Sequence, residues 1–387
     1  MAAVLPRVYL HVGVPKTGTT HLQEMLWHNR AVLATQGLLY PGYVHAAHFH
    51  AAVDLQRERY DTWVDPMADG AWDRLVAHVR QWPERSVITT ELLTTVNRGQ
   101  VARVLRSLDF AEVHVICTAR DLARQIPSMW QENIRNRRTE SYGEFLAAIR
   151  CPEPSPIGDL FWEFQDLGRV LATWSRDLPP SRVHVITVPG NGAPPDALWQ
   201  RFAGLLDVDP RSCEPLAQHD NQSLGAAQTE VLRRINLALP ASMGWPRYKA
   251  VVKEYLAQDI LAGQGDKPRI TLPADELGWV RDRAELLASQ IETAGYDVVG
   301  DLAELLPRTA PGAAAEPPDR ELLDSAVTAL AELASHLPTS PARDGTGERV
   351  KHALRTFSEQ HPPVMALREW YWKGKARVSW ARGPSRG

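Results

Sequence analysis

The chain has 387 residues, 44% hydrophobic and 23% charged, a composition that suits one sizeable core plus an appendage. The formal net charge of −3 argues against non-specific nucleic-acid binding, and three scattered cysteines, Cys117, Cys151 and Cys213, indicate neither a disulfide framework nor a zinc site. A reducing cytoplasm is the expected compartment, because the first 14 residues lack a basic stretch leading into a signal-length apolar run, and no run approaches the roughly eighteen apolar residues of a membrane span.

The first element is a strand, Val8-Tyr9-Leu10-His11-Val12, broken by Gly13, Pro15 and Gly18. Leu22, Met25 and Leu26 then carry the spacing of an amphipathic helix. A glycine-rich turn feeding a helix N-terminus aims several backbone N–H groups and the positive end of the helix dipole at one spot. The expected occupant is the phosphate or sulfate of a nucleotide. Gly13 and Gly18 keep the Gly-x4-Gly spacing of a Walker A loop, but Thr19 and Thr20 stand where Lys-Ser/Thr would follow, and the lysine has moved inside the loop to Lys16. Lys16 can still reach the oxygens of a 5′-phosphate there, with the hydroxyls of Thr17, Thr19 and Thr20 as further donors. No Asp-tipped second strand of Walker B type is apparent, so a metal-free anion site is expected rather than an ATPase.

Downstream, Gly37 to Gly42 reads as a short strand closed by a Pro-Gly turn, followed by three histidines, His45, His48 and His50. Residues 54 to 85 read as helical and charged, with Trp63, Trp72 and Trp82 among them. Ser86 to Leu93 is the next strand and carries Glu91. A carboxylate at the C-terminal end of a parallel strand lies where open α/β sheets bind ligands. Glu112 to Ala119 is an apolar strand ending in Arg120, and Ser128 follows eight positions on, within a helix. Arg120 offers a bidentate fork and Ser128 a hydroxyl donor, the chemistry a dianionic phosphate calls for. Pro127 inside that helix predicts a kink or a late start, and Arg135, Arg137 and Arg138 read as a solvated face. Ser181 to Pro189 is the fifth strand, Leu198 to Leu206 a short helix, and Ser223 is placed to cap a helical segment through Leu239. Strands alternating with helices give an α/β fold, a P-loop-like parallel five-stranded sheet flanked by helices with a helical C-terminal appendage.

The two motifs together, Pro15-Lys16-Thr17-Gly18-Thr19-Thr20 and Arg120 with Ser128, resemble the 5′-phosphosulfate loop and the 3′-phosphate site of sulfotransferases, over roughly residues 7 to 305. The resemblance implies transfer of a sulfuryl group from 3′-phosphoadenosine 5′-phosphosulfate (PAPS) to a small-molecule, glycan or lipid acceptor, without a metal. It assigns Pro15 to Thr20, His21, Arg120 and Ser128 to PAPS, His21 standing where the cytosolic enzymes place an adenine-stacking tryptophan. Those enzymes end the third strand in Lys-Thr-His with the histidine as base; here Thr89-Thr90-Glu91 makes Glu91 the candidate base, with His45 and His48 as alternatives beside the acceptor. Their Arg-Lys-Gly closing motif is not recognisable between residues 240 and 270. A P-loop kinase is disfavoured by the displaced lysine, and a nucleotide-binding protein without catalysis is the reading from another class.

The expected domain covers residues 1–306, followed by a Pro/Ala-rich linker at 307–318 and a tail at 319–387. The last stretch interleaves Arg368, Lys373, Lys375, Arg377, Arg382 and Arg386 with Trp370, Tyr371, Trp372 and Trp380. Such a tail can lie on the inner, anionic surface of a membrane, remain disordered, or dock as a helix.

Overall fold

The computed structural model describes residues 5–60, 65–216, 223–265, 268–308 and 316–336. Trp63, Asn221 and the basic, tryptophan-rich stretch from Arg368 to Arg386 lie outside the described residues. The chain divides into two units, Met1–Ala331 and Glu332–Gly387, and all six strands belong to the first.

Those strands are β1 (Arg7–His11), β2 (Leu38–Leu39), β3 (Arg85–Thr89), β4 (Glu112–Ala119), β5 (Val183–Thr187) and β6 (Asp297–Val299). They form one sheet in the order β2-β3-β1-β4-β5-β6, with every neighbouring pair parallel. The sheet therefore has six strands rather than the expected five. β6 is three residues long, too short for an alternating pattern to stand out, and it is a strand because it closes the edge of β5 in the register Val185↔Val298. β1 lies between β3 and β4, so the chain builds one half of the sheet to one side of β1 and the rest to the other. The loops leaving β1 and β4 flank this switch point, the place where open parallel sheets form a crevice.

The helices that matter below are α1 (Thr19–His28), α2 (Ala47–Leu55), α3 (Ala71–Arg80), α4 (Arg98–Ser107), α5 (Leu122–Arg135), α6 (Leu167–Trp174), α7 (Ala197–Leu205), α8 (Ala226–Ala238), α9 (Leu277–Ala294) and α10 (Asp319–His336). Alternate strand residues feed two cores. Tyr9, Val87, Ile116 and Ile186 pack with Leu22 and Leu26 of α1 and Phe202 of α7. On the other face Val8, Leu10, Ile88 and Val115 pack with Trp72 of α3, Val104 of α4, Trp174 of α6 and Ile291 of α9. These layers fix the strand ends, and hence the loops, from both sides.

Several local expectations change. α5 starts at Leu122, capped by the Asp121 side chain that accepts from Arg124 N at 3.0 Å, and runs past Pro127 to Arg135, so its start is not late. Ser223 does not cap α8; Gly225 is the residue before it. Arg137 and Arg138 are not a solvated face. Arg137 donates to Pro240 O at 2.9 Å and to Met243 O, and Arg138 lies 3.3 Å from Glu140, so both brace the end of α5. Lys249–Leu261 forms a 13-residue π-helix, an uncommon geometry that more often occurs as single-turn bulges and is frequent at functional sites.

Candidate active site

The loop after β1 stands on a buried polar chain. Thr17 Oγ1 donates to Val14 O at 2.5 Å, which commits its only proton, so the 2.6 Å contact from Thr118 must be donated to it. Thr118 in turn accepts from His11 Nε2 at 3.2 Å, and His11 Nδ1 accepts from Thr89 Oγ1 at 2.7 Å. This order fixes one tautomer of His11, and full burial pushes its pKa down to about 3, keeping the ring neutral. The chain joins β3, β1 and β4 beneath the loop. It also corrects the expected role of Thr17: its hydroxyl is spent inside the loop and offers no proton to a ligand.

Above this base the backbone is shaped for an anion. Gly13 has no room for a side chain, since a Cβ there would lie 2.6 Å from His11 Nε2 and 2.9 Å from both Thr118 Oγ1 and Thr19 Oγ1. Lys16 (φ 69°) and Gly18 (φ 88°) are left-handed, which folds the loop back onto the N-terminus of α1. Among the described residues, the backbone N–H groups of Lys16, Thr17, Gly18, Thr19, Thr20 and His21 have no carbonyl partner; the first paired one is Leu22, donating to Gly18 O at 3.1 Å. Thr19 Oγ1 and His21 Nε2 are buried without a hydrogen-bond partner. Buried polar atoms left unpaired are costly, and donors clustered on one turn can be satisfied by an anion.

Arg120 stands at the end of β4 facing this loop. Its Nη1 donates to Lys16 O at 3.0 Å, and its Nε is buried without a partner. Asp121, the adjacent carboxylate, is engaged by the backbone N–H and guanidinium of Arg124. Burial first, then the charges of Arg124 and Arg269, against the opposing pull of Asp121, lower the Arg120 pKa to about 10. The group remains a cation with no ion-pair partner among the described residues. Ser128, two turns along α5, is half-buried, and its hydroxyl has no hydrogen-bond partner among the described residues. Arg120 also lines a cavity of about 250 Å³ with Val14, Gln125, Trp162, Gln165 and Arg283. Gln125 and Gln165 both donate to Pro15 O, at 3.1 and 3.3 Å, so Pro15 contributes by holding the loop to this wall.

The Lys16 ammonium is directed at Glu132 on α5, with Nζ 2.7 Å from Oε2. The other oxygen of Glu132 lies 3.2 Å from Nζ of Lys253 on the π-helix. Burial raises the Glu132 pKa, but Lys16 and then Lys253 and Arg135 outweigh it and bring the carboxyl to about 2.

Of the three candidate bases, Glu91 lies just past the C-terminal end of β3. It opens a 3-10 turn, Glu91–Thr95, immediately past β3, and Gln23 of α1 reaches both its Oε2 at 3.3 Å and Thr89 O at 3.4 Å. Its neighbour Tyr40 has its phenol pKa raised by burial and by the charges of Glu24 and Glu91. His48 is not free to act as a base, which corrects that expectation. Its Nε2 donates to Pro41 O at 2.8 Å and its Nδ1 accepts from Thr89 N at 3.1 Å, while burial pulls its pKa down to about 4. His48 ties α2 to the edge of β3. His45 is half-exposed, with Nε2 3.0 Å from Glu24 Oε1 and its ring against Trp27.

Residues missed from the sequence are Glu132 and Arg269. Glu132 carried a signal, because it falls one helical turn after Ser128 and so shares its face. Lys253 stands out in the sequence only as one of the basic residues of 240–270, with Arg247 and Lys249, the segment that the resemblance expects to close over the cofactor. Its pairing with Glu132, and the place of Arg269 near Arg120, come from a π-helix and the segment after it.

No protein-family model and no curated protein matches the chain. Among solved structures it is similar to a sulfotransferase from Alicyclobacillus acidocaldarius, at 16% identity and TM-score 0.37, over 63% of this chain and 94% of that one. Among the described residues there is no group of three or more His, Cys, Asp or Glu side chains that could hold a metal ion, and no helix is long and apolar enough to cross a membrane.

Proposed function

We propose that the chain is a sulfotransferase that moves a sulfuryl group from PAPS to a hydroxyl or amine of a small-molecule, glycan or lipid acceptor. The observation that carries this reading is the run of unpaired N–H groups from Lys16 to His21 facing an arginine, Arg120, that has no carboxylate of its own. Two separate sets of anion donors suit a ligand with two anionic ends better than a single phosphate. When bound, PAPS supplies the sulfuryl group and a bisphosphate leaving group. The loop amides and Thr19 would hold the 5′-phosphate end, and Arg120 with Ser128 the 3′-phosphate. Lys16 would neutralise charge that develops on the bridging phosphate oxygen as its bond to sulfur breaks. Glu91 would take the proton from the acceptor atom as that atom bonds to sulfur from the opposite side. Atoms balance: the acceptor loses H⁺ and gains the sulfuryl group, and adenosine 3′,5′-bisphosphate leaves.

The test is incubation of the protein with PAPS and a metabolite extract, followed by mass spectrometry for a gain of one sulfo group. Mg²⁺-dependent turnover of ATP in place of sulfuryl transfer would replace this reading with a phosphotransferase. Tight binding of the bisphosphate with no transfer to any acceptor would make the chain a binding protein.

A further inference from the structure

Lys16 is gripped at both ends. Arg120 holds its carbonyl oxygen, and Glu132 holds its ammonium with a 2.7 Å contact in which neither side chain is more than about three-tenths exposed. We propose that Glu132 is a latch for Lys16: it keeps the lysine off the phosphate site until an anion arrives, and it takes the lysine back when the bisphosphate leaves. The inference rests on the functional reading above.

The geometry of the latch explains why it can open. Two oxygens of one carboxylate are shared between two cations, Oε2 with Lys16 and Oε1 with Lys253 at 3.2 Å, and Asn136 Nδ2 donates to the same Oε1 at 3.3 Å. Lys253 Nζ also donates to Asn136 Oδ1 at 2.6 Å, which holds it in place without Lys16. A carboxylate that lost its only partner in a half-buried site would bear a large penalty. Glu132 would not, because Lys253 and Asn136 remain when Lys16 turns to a phosphate. A phosphate dianion and the Glu132 carboxylate would compete for one ammonium, and the dianion carries more charge. The groups facing Glu132 are Lys16 from the loop, Arg135 and Asn136 from its own helix, and Lys253 from the π-helix. Glu132 is therefore a positioning residue that acts through Lys16, and the π-helix is the part that lets it let go.

Removing the competitor should strengthen the hold on the anion. Glu132→Gln keeps the shape and is expected to tighten adenosine 3′,5′-bisphosphate binding, measured by calorimetry, by about tenfold, the scale of one charge-assisted hydrogen bond. With slower release of that product, kcat and KM for PAPS should fall together. The same substitution in a Lys16→Met chain should change bisphosphate affinity less than about twofold, because the effect runs through the lysine. Lys253→Met gives the opposite sign: Glu132 then keeps the neutral Asn136 amide but leans on Lys16 as its ion-pair partner, so bisphosphate binding should weaken several-fold while Lys16 is present, about the worth of a partly buried ion pair. Unchanged affinity in both Glu132→Gln and Lys253→Met, or an equal gain from Glu132→Gln with and without Lys16, overturns the latch. If neither wild type nor Glu132→Gln binds the bisphosphate, the functional reading falls and the latch with it.

Discussion

Arg120 Nη1 donates to the carbonyl of Lys16 at 3.0 Å, so the first residue past β4 braces the middle of the loop that leaves β1. A guanidinium has five N–H donors in a fixed fork, and with Nη1 engaged and Nε buried without a partner, donors remain for a ligand. The same side chain can thus shape one anion site and fill another. Arg120→Ala should weaken adenosine 3′,5′-bisphosphate by about 3–6 kcal/mol, two charge-assisted bonds. It should weaken 5′-AMP by less, the part that comes from loosening the loop. Arg120→Lys keeps the charge and loses the fork, so it should not rescue the difference. Calorimetry showing equal losses for the two ligands in Arg120→Ala would remove the 3′-phosphate assignment.

Gly13 is a packing requirement rather than a flexible hinge. Gly13→Ala would place a methyl against His11, Thr118 and Thr19, all buried, and should lower stability by about 1–3 kcal/mol, as overpacking does. Gly143, in the helix Tyr142–Arg150, has nothing within 4 Å of a would-be Cβ. Gly143→Ala should raise stability by up to about 0.5 kcal/mol, less than the full interior preference for alanine because Gly143 sits in the first turn. Paired thermal melts check both signs, and a neutral Gly13→Ala would mean the loop base can shift.

The parallel α/β layout was legible because β1, β3, β4 and β5 are runs of β-branched and aromatic residues bounded by turn residues. The turn after β1, and Arg120 past the end of β4 with Ser128 on the next helix, were legible because their spacing is local. What was hidden depends on tertiary contact. Nothing in a sequence says that the Thr17 hydroxyl turns inward to Val14, or that His48 receives the N–H of Thr89, forty-one residues away. Three histidines in six residues look alike on paper; burial separates His48, with both nitrogens engaged, from His45, half-exposed beside Glu24. β6 was hidden by its length, and Lys253 by a π-helix that shifts side chains off the ordinary 3.6-residue face.

The buried histidines set an acid limit. In the unfolded chain His11 and His48 take up protons near the ordinary value of about 6.5. Folded, their pKa values lie at about 3 and about 4, each lowered first by burial. The folded state therefore binds fewer protons below about pH 6.5, and stability should fall as the pH drops from there towards 4. His48→Gln does not titrate, so its denaturant midpoint should fall less steeply over that range. An unchanged slope would mean that His48 protonates freely in the folded chain.

Lys16→Ala should reduce turnover with every acceptor, because the leaving group is common to all, by ~10²–10³, the cost of one oxyanion donor. Bisphosphate affinity should also fall, though Arg120 and the loop amides keep part of it. A variant that turns over normally would remove Lys16 from the transfer step.

Glu91→Gln separates proton removal from donor binding. The substitution preserves shape and, with the amide suitably turned, leaves an oxygen for Gln23 Nε2, now 3.3 Å from Oε2, so the end of β3 should stay in place. PAPS affinity should therefore change little, while turnover on an aliphatic alcohol should drop by ~10²–10⁴, the worth of a positioned base. The loss should shrink for nitrophenols, which are already ionised near neutral pH and have no proton to give up. His45→Ala is the internal control, because His45 is half-exposed and, among the described residues, pairs with no carboxylate but Glu24. If the alcohol-specific loss appears in His45→Ala and not in Glu91→Gln, the proton passes to the histidine, and Glu91 is left as the group that fixes Gln23 and the first turns of α1 against β3.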